Sequence, residues 1–142
     1  QHPDTRLALA RCRGRTGRYL EAIELILETA ATHPEYQPLV VSHLETLGEY
    51  LSGEGAYLAA EEAFSRLVEI MPDNPNYWMR LGDVRVQNVR IESGLDAYAH
   101  ALRLAEDSDS ALQETIRQRL EAINPTSAKI PGVGLNDFKG VL

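Results

Sequence analysis

The sequence predicts an all-α protein, an α-solenoid of antiparallel helix pairs with about seven helices, and three observations predict it. The dipeptides Leu47-Gly48 and Leu81-Gly82 stand 34 residues apart, and Phe64 and Tyr98 are separated by the same interval. A fixed period of this length marks a chain of repeated supersecondary units, each burying its apolar face against the next. Within one period, Leu58, Ala60, Phe64, Leu67, Val68 and Ile70 follow helical rather than alternating spacing, which predicts one buried stripe. Glycine and proline then punctuate the chain at the places where such helices must stop and restart.

The predicted helices are 4–14, 19–32, 38–52, 57–70, 75–88, 91–105 and 109–123. The third ends at Gly53 and Gly55, because glycine takes a positive φ without steric cost. Pro72 closes the fourth, since proline cannot donate to the helix and pushes Met71 toward extended geometry. Pro75 opens the fifth, and Asn74 before it supplies an N-cap. Gly48 and Gly82 fall inside helices, where each costs about 1 kcal/mol relative to Ala. Close packing against a partner helix explains them, with Phe64 and Tyr98 filling the neighbouring space and Trp78 as a core anchor. The seventh helix carries Leu112, Ile116, Leu120 and Ile123 on one side and Glu114, Arg117, Gln118, Arg119 and Glu121 on the other, as the end of a stacked array requires. Asp107, Ser108, Asp109 and Ser110 offer its N-cap oxygens.

This pattern resembles the tetratricopeptide repeat family. The match is closest over 41–74, where Leu47, Gly48, Gly55, Tyr57, Ala60, Phe64 and Pro72 fall on characteristic positions and Leu44 stands where the pattern has Trp. The unit 75–108 begins Trp78-x-x-Leu81-Gly82 and continues to Tyr98, Ala101, Leu102 and Leu104. An earlier unit, about 3–36, aligns through Leu9, Gly17, Tyr19, Ala22, Ile26 and Pro34, with Ala10 and Cys12 where two helices should approach. Departures are Arg6 at the Trp position of the first unit, Arg85, Val89, Gly94 and Glu106 in the third, and about four extra residues between the first two. The resemblance covers about 105 of the 142 residues. It implies a right-handed superhelix over 1–123, with 109–123 as capping helix and 124–142 as a Pro- and Gly-containing apolar tail.

Composition limits the functions open to such a chain. An apolar fraction of 44% and a charged fraction of 25% are those of a soluble globular protein. No run of eighteen apolar residues is present, so direct membrane insertion is not expected. The net charge is −7, yet residues 1–20 hold five arginines against one aspartate. The overall acidity argues against nucleic-acid binding. The cluster Arg6, Arg11, Arg13, Arg15 and Arg18 reads as a grip for an acidic partner, a solvated helix face, or a surface toward an earlier part of a longer chain. The lone Cys12 excludes an internal disulfide and fits a reducing compartment. A cytoplasmic location is expected, or a periplasmic one if an N-terminal signal or anchor has been removed.

Catalytic chemistry is not expected. Cys12 is read as a small buried helix residue, without the convergent base and orienting group that a nucleophile needs. His2, His33, His43 and His100 show no metal-ligand spacing. Gly53-Glu54-Gly55 and Gly132-Val133-Gly134 complete no phosphate-binding GxGxxG and follow no strand. Pro125 disqualifies Asn124-Pro125-Thr126 as a glycosylation acceptor. Acidic pairs such as Glu61-Glu62 and Asp107-Asp109 read as solvated faces or caps. No cofactor and no metal are expected.

The resemblance instead implies a protein-binding scaffold, in which the first helix of each pair lines a concave groove for a peptide or helix of a partner. Carried over position by position, the groove residues are Arg11 and Arg15 in the first unit, Glu45, Thr46 and Glu49 in the second, and Met79, Arg80, Asp83 and Gln87 in the third. Gln113 and Arg117 of the capping helix extend them. That groove would be mixed in charge, with arginine at its ends and acid near the middle. The Lys and Asn residues by which three-repeat members hold acidic chaperone tails are replaced by Leu7, Arg11 and Thr46, which disfavours that role. Leu135 and Phe138 are candidate anchors by which the tail would dock on its own chain or on a neighbouring molecule, and this opens a second reading as a homo-oligomeric assembly module. A third reading is the repeat segment of a larger enzyme or of a secretion or cytochrome-assembly component.

Overall fold

In the computed structural model, which describes residues 2–106 and 109–123, those residues are all-α, with seven helices and one short 3-10 turn. The predicted helices appear with ends shifted by no more than one residue. They are α1 (Pro3–Arg15), α2 (Tyr19–Thr32), α3 (Gln37–Gly53), α4 (Tyr57–Ile70), α5 (Pro75–Gln87), α6 (Ile91–Ala105) and α7 (Ser110–Ile123). The 3-10 turn, Pro34–Tyr36, takes up the extra residues between the first two repeats. The chain forms two compact units that meet in sequence between Ile70 and Met71. The tail with its candidate anchors Leu135 and Phe138, and the candidate caps Asp107 and Ser108, lie outside the described residues.

In the N-terminal unit α1 packs against α2 and α3 against α4, and α3 and α4 in turn lie against α1 and α2. The stripe of α1 is Leu7, Ala10 and Gly14, all buried. This register corrects the expectation for Cys12, which is exposed, because two residues beyond Ala10 a helix has turned to its opposite side. In α4 the buried stripe is Ala60, Glu61, Ala63, Phe64, Leu67 and Val68, whereas Leu58 is left 70% exposed. Gly48 is buried because a Cβ there would fall 2.8 Å from the Phe64 ring. The missing side chain lets α3 close on α4, as the 34-residue pairing of glycine and aromatic predicts.

In the C-terminal unit α5 pairs with α6, and α7 packs on α6. Asn74 caps α5, its Oδ1 accepting from the Asn76 amide at 3.0 Å, and Asp109 does the same for Leu112 at the start of α7. Met79, Tyr98, Ala101, Leu102 and Ala105 form a core with Leu112, Ile116 and Leu120, and Trp78 packs on its edge. The Trp78 indole donates to the Pro72 carbonyl at 2.8 Å, and its ring centroid lies 4.0 Å from that of His100. A Cβ on Gly82 would lie 2.7 Å from the Tyr98 ring.

The turns between paired helices share one backbone device. Gly17 and Gly55 take φ of +84° and +79°, and Val89, at the same place in the third repeat, takes +61°. A β-branched residue in the left-handed region is a true outlier, and it is held here by the helices on either side.

Candidate functional site

The N-terminal unit contains a cleft of about 350 Å³ between α1 and α3. Its residues come from two ladders with i, i+4 spacing. On α1 these are Ala10 and Gly14 with Arg11 and Arg15, and on α3 they are Ser42, Thr46 and Tyr50 with His43 and Leu47. Side chains four apart share a helix face, so each helix presents a continuous wall. Ile26 of α2 joins Ala10, Gly14 and Leu47 in an apolar floor. Gly14 makes this possible, since a Cβ there would sit 2.9 Å from Leu47 Cδ1 and force that side chain to shift.

The rim is cationic and hydroxyl-rich. Three of the five N-terminal arginines are engaged within the chain: Arg6 donates to Thr32 Oγ1 at 3.3 Å, and Arg13 and Arg18 both pair with Glu21. Arg11 and Arg15 line the cleft, are exposed, and have no side-chain hydrogen bond or ion pair among the described residues. Like charges at i, i+4 on a helix cost about 0.2–0.5 kcal/mol, which a bound anion would relieve. Across the cleft the His43 Nδ1 donates to the Leu39 carbonyl at 2.8 Å, since a carbonyl can only accept. That bond fixes the ring and leaves Nε2 as its second polar atom.

Of the residues proposed for the groove, the cleft unites Arg11, Arg15 and Thr46. Glu45 and Glu49 are not among its lining residues, and each has a partner within the chain. Ser42, His43 and Tyr50 were not proposed from sequence. Stepping four residues either way from Thr46 finds two of them.

Two positions in the C-terminal unit require correction. Met79 is 6% exposed and belongs to the core with Leu112 and Ile116, so it is a packing residue. Asp83 is occupied by its own unit: Tyr98 Oη donates to its Oδ1 at 2.5 Å, and Arg119 Nε on α7 donates to the same atom at 2.7 Å. Burial first, then the bond to Asp83, pushes the Tyr98 phenol well above its ordinary range, so it remains a donor. Arg80, Gln87 and Arg117 are at the surface, Gln113 is half-buried, and Arg80 and Gln87 have partners within the chain. Among the described residues no group of three or more His, Cys, Asp and Glu side chains could hold a metal, and no helix is long and apolar enough to cross a membrane.

No family model and no curated protein matches the sequence. Solved structures do match the fold. The Sgt2 tetratricopeptide domain from Aspergillus fumigatus aligns over 92% of this chain and 85% of its own, with 20% identity and a TM-score of 0.50. The first tetratricopeptide domain of Spaghetti (RPAP3), bound to the HSP90 peptide SRMEEVD, aligns over 83% of this chain and 92% of its own, with 18% identity and a TM-score of 0.49. The Sgt2 likeness is one of fold, and it places the chain among all-α helical-repeat architectures of the tetratricopeptide type.

Proposed function

We propose that the protein is a non-catalytic interaction scaffold, and that the α1–α3 cleft holds an acidic segment of a partner protein with an apolar side chain on its floor. The observation that carries this reading is the pair Arg11 and Arg15, cations that have no side-chain partner among the described residues and stand at the lip of an apolar cleft. Guanidinium groups pair with carboxylates through charge-assisted, often bidentate hydrogen bonds, and the hydroxyls of Ser42, Thr46 and Tyr50 supply further donors. The cleft volume of about 350 Å³ suits one or two side chains, so a short peptide or one face of a helix fits better than a folded surface.

The test is fluorescence anisotropy with the full chain and labelled peptides that place one leucine among glutamates. Binding at roughly micromolar to millimolar concentration is expected, weakening as salt rises. The double variant Arg11→Glu/Arg15→Glu should lose at least about tenfold in affinity with the melting temperature retained. Equal binding by the variant and the parent would refute the assignment of the cleft.

A further inference from the structure

His43 lines the α1–α3 cleft with a ring whose proton the structure assigns. Its Nδ1 lies 2.8 Å from the Leu39 carbonyl one turn back, and because a carbonyl only accepts, that nitrogen carries the proton. The neutral ring therefore keeps Nε2 as a bare acceptor, and any further polar contact of the imidazole runs through it. A histidine free to move its proton could donate to a carboxylate from Nε2 without changing charge. Here that move would break the bond to Leu39 and set two acceptors against each other. A carboxylate at Nε2 is thus matched only when the ring takes up a second proton and both nitrogens donate.

Among the described residues the cleft itself supplies no counter-charge for such an imidazolium. No Asp or Glu lines it, and α1 presents Arg11 and Arg15 across from His43. From α2 comes Ile26, while Glu24 and Glu28, two residues to either side, lie on the opposite face of that helix. In the 3-10 turn Glu35 pairs with His33 at 3.3 Å. On α4, Glu62 and Glu69 pair with Arg66, and Glu61 has a partner within the chain, as do Glu45 and Glu49 on α3 itself. Within the cleft, the carboxylate that a protonated His43 would meet is one brought by the ligand.

We propose that the cleft binds its acidic segment together with one proton, taken from solvent onto Nε2 of His43, so that this residue makes the site selective for carboxylates as pH falls. The proposal rests on the cleft reading above and adds its regulation. Proton and segment each strengthen the binding of the other by the same factor. Affinity is therefore highest below the range in which histidines titrate, about pH 5–8, and declines as pH rises through it. Arginine keeps its charge over that whole range, so the grip of Arg11 and Arg15 persists and binding weakens rather than vanishes.

Isothermal titration calorimetry of the full chain tests it, with a peptide that places one leucine among aspartates, which stay ionised down to about pH 5.5. A coupling of about five- to tenfold between proton and peptide makes binding roughly three- to fivefold tighter at about pH 5.5 than at about pH 7.5. Titrations near about pH 7 in two buffers of different ionisation enthalpy should show uptake of about a third to a half of a proton per peptide. His43→Gln should bind with the parent's high-pH affinity at every pH and take up no proton, whereas His33→Gln and His100→Gln should keep the parent's response. Binding without proton uptake, or uptake that survives His43→Gln, would overturn the proposal and leave the cleft reading standing. Failure of the parent to bind at any pH would overturn both.

Discussion

Gly82→Ala places a methyl group where Tyr98 already stands. In an open helix the change would gain about 1 kcal/mol from helix propensity. Here the new Cβ would lie 2.7 Å from Tyr98 Cδ1 and Cε1 and 3.1 Å from the Gly94 carbonyl oxygen. The ring has little freedom to withdraw, being 2% exposed with its hydroxyl tied to Asp83 at 2.5 Å, and the third contact is backbone. Relief therefore requires α5 to move off α6, and overpacking of this kind costs about 1–3 kcal/mol, leaving a net loss of up to about 2 kcal/mol. Gly48→Ala meets the Phe64 ring at 2.8 Å, but that ring has no hydroxyl tether and all three nearest contacts are its own atoms. Its loss should be smaller, about 1 kcal/mol or less. Gly53→Ala has nothing within 4 Å and should stabilise slightly. Guanidinium denaturation followed by circular dichroism, with the m-value checked for constancy, gives the order. A double-mutant cycle should show Tyr98→Leu costing less in the Gly82→Ala background than in the parent. Should Gly82→Ala exceed the parent in stability, as Gly53→Ala is expected to, the close approach of α5 and α6 would be wrong.

Three further outcomes follow from the geometry. Val89→Gly should raise stability by about 1 kcal/mol, because it relieves a left-handed β-branched residue worth about 1–2 kcal/mol of strain and, at 82% exposure, gives up no burial; an unchanged denaturation midpoint would contradict the positive φ. Arg119→Met removes the ion pair from α7 to Asp83 and should cost about 1 kcal/mol, discounted for partial exposure, with faster amide hydrogen exchange in α7 as the specific readout; unchanged exchange there would mean the pair holds nothing. The proton affinity of His100 is lowered from 6.5 by burial and then by the charge of Arg103, with Asp96 opposing. The unfolded chain therefore binds that proton more readily, so this contribution to stability is present above the ordinary histidine range and is lost as pH falls below it. Trp78, the single tryptophan, lies against the His100 ring, so its fluorescence should be quenched on acidification with a midpoint below 6.5, and His100→Gln should flatten the curve. A midpoint at or above 6.5 would refute the assigned cause.

What was legible in the sequence was local. Helix ends follow from Gly55, Pro72, Asn74 and Pro75 because each acts through its own backbone or the adjacent turn. The pairing of Gly48 with Phe64 and of Gly82 with Tyr98 was legible because the repeat states it twice. The rotation of α1 was not, since Arg6, Cys12 and other polar or small residues leave its apolar stripe thin, and Cys12 was placed on the wrong side. Met79 was read as a groove residue by position, although its apolar character beside Leu112 and Ile116 of the capping helix already favoured burial. Asp83 could not have been placed, because Arg119 lies 36 residues away and no periodicity links them. The cleft was half legible. The positions of Arg11, Arg15 and Thr46 follow from the repeat register, while the lack of a side-chain partner for the two arginines among the described residues depends on how Arg6, Arg13 and Arg18 are satisfied.

The carboxylate of Asp83 has a consequence for selection among partners. Any cation offered to it from outside competes with Arg119, an intramolecular ligand whose effective concentration is of order millimolar or higher. A basic segment arriving at α5 would have to displace that arginine before it gained anything, whereas on the proposed reading an acidic segment at α1 would meet two guanidiniums with no such rival among the described residues. The ion pair thus handicaps one sign of charge at α5 before any partner is met.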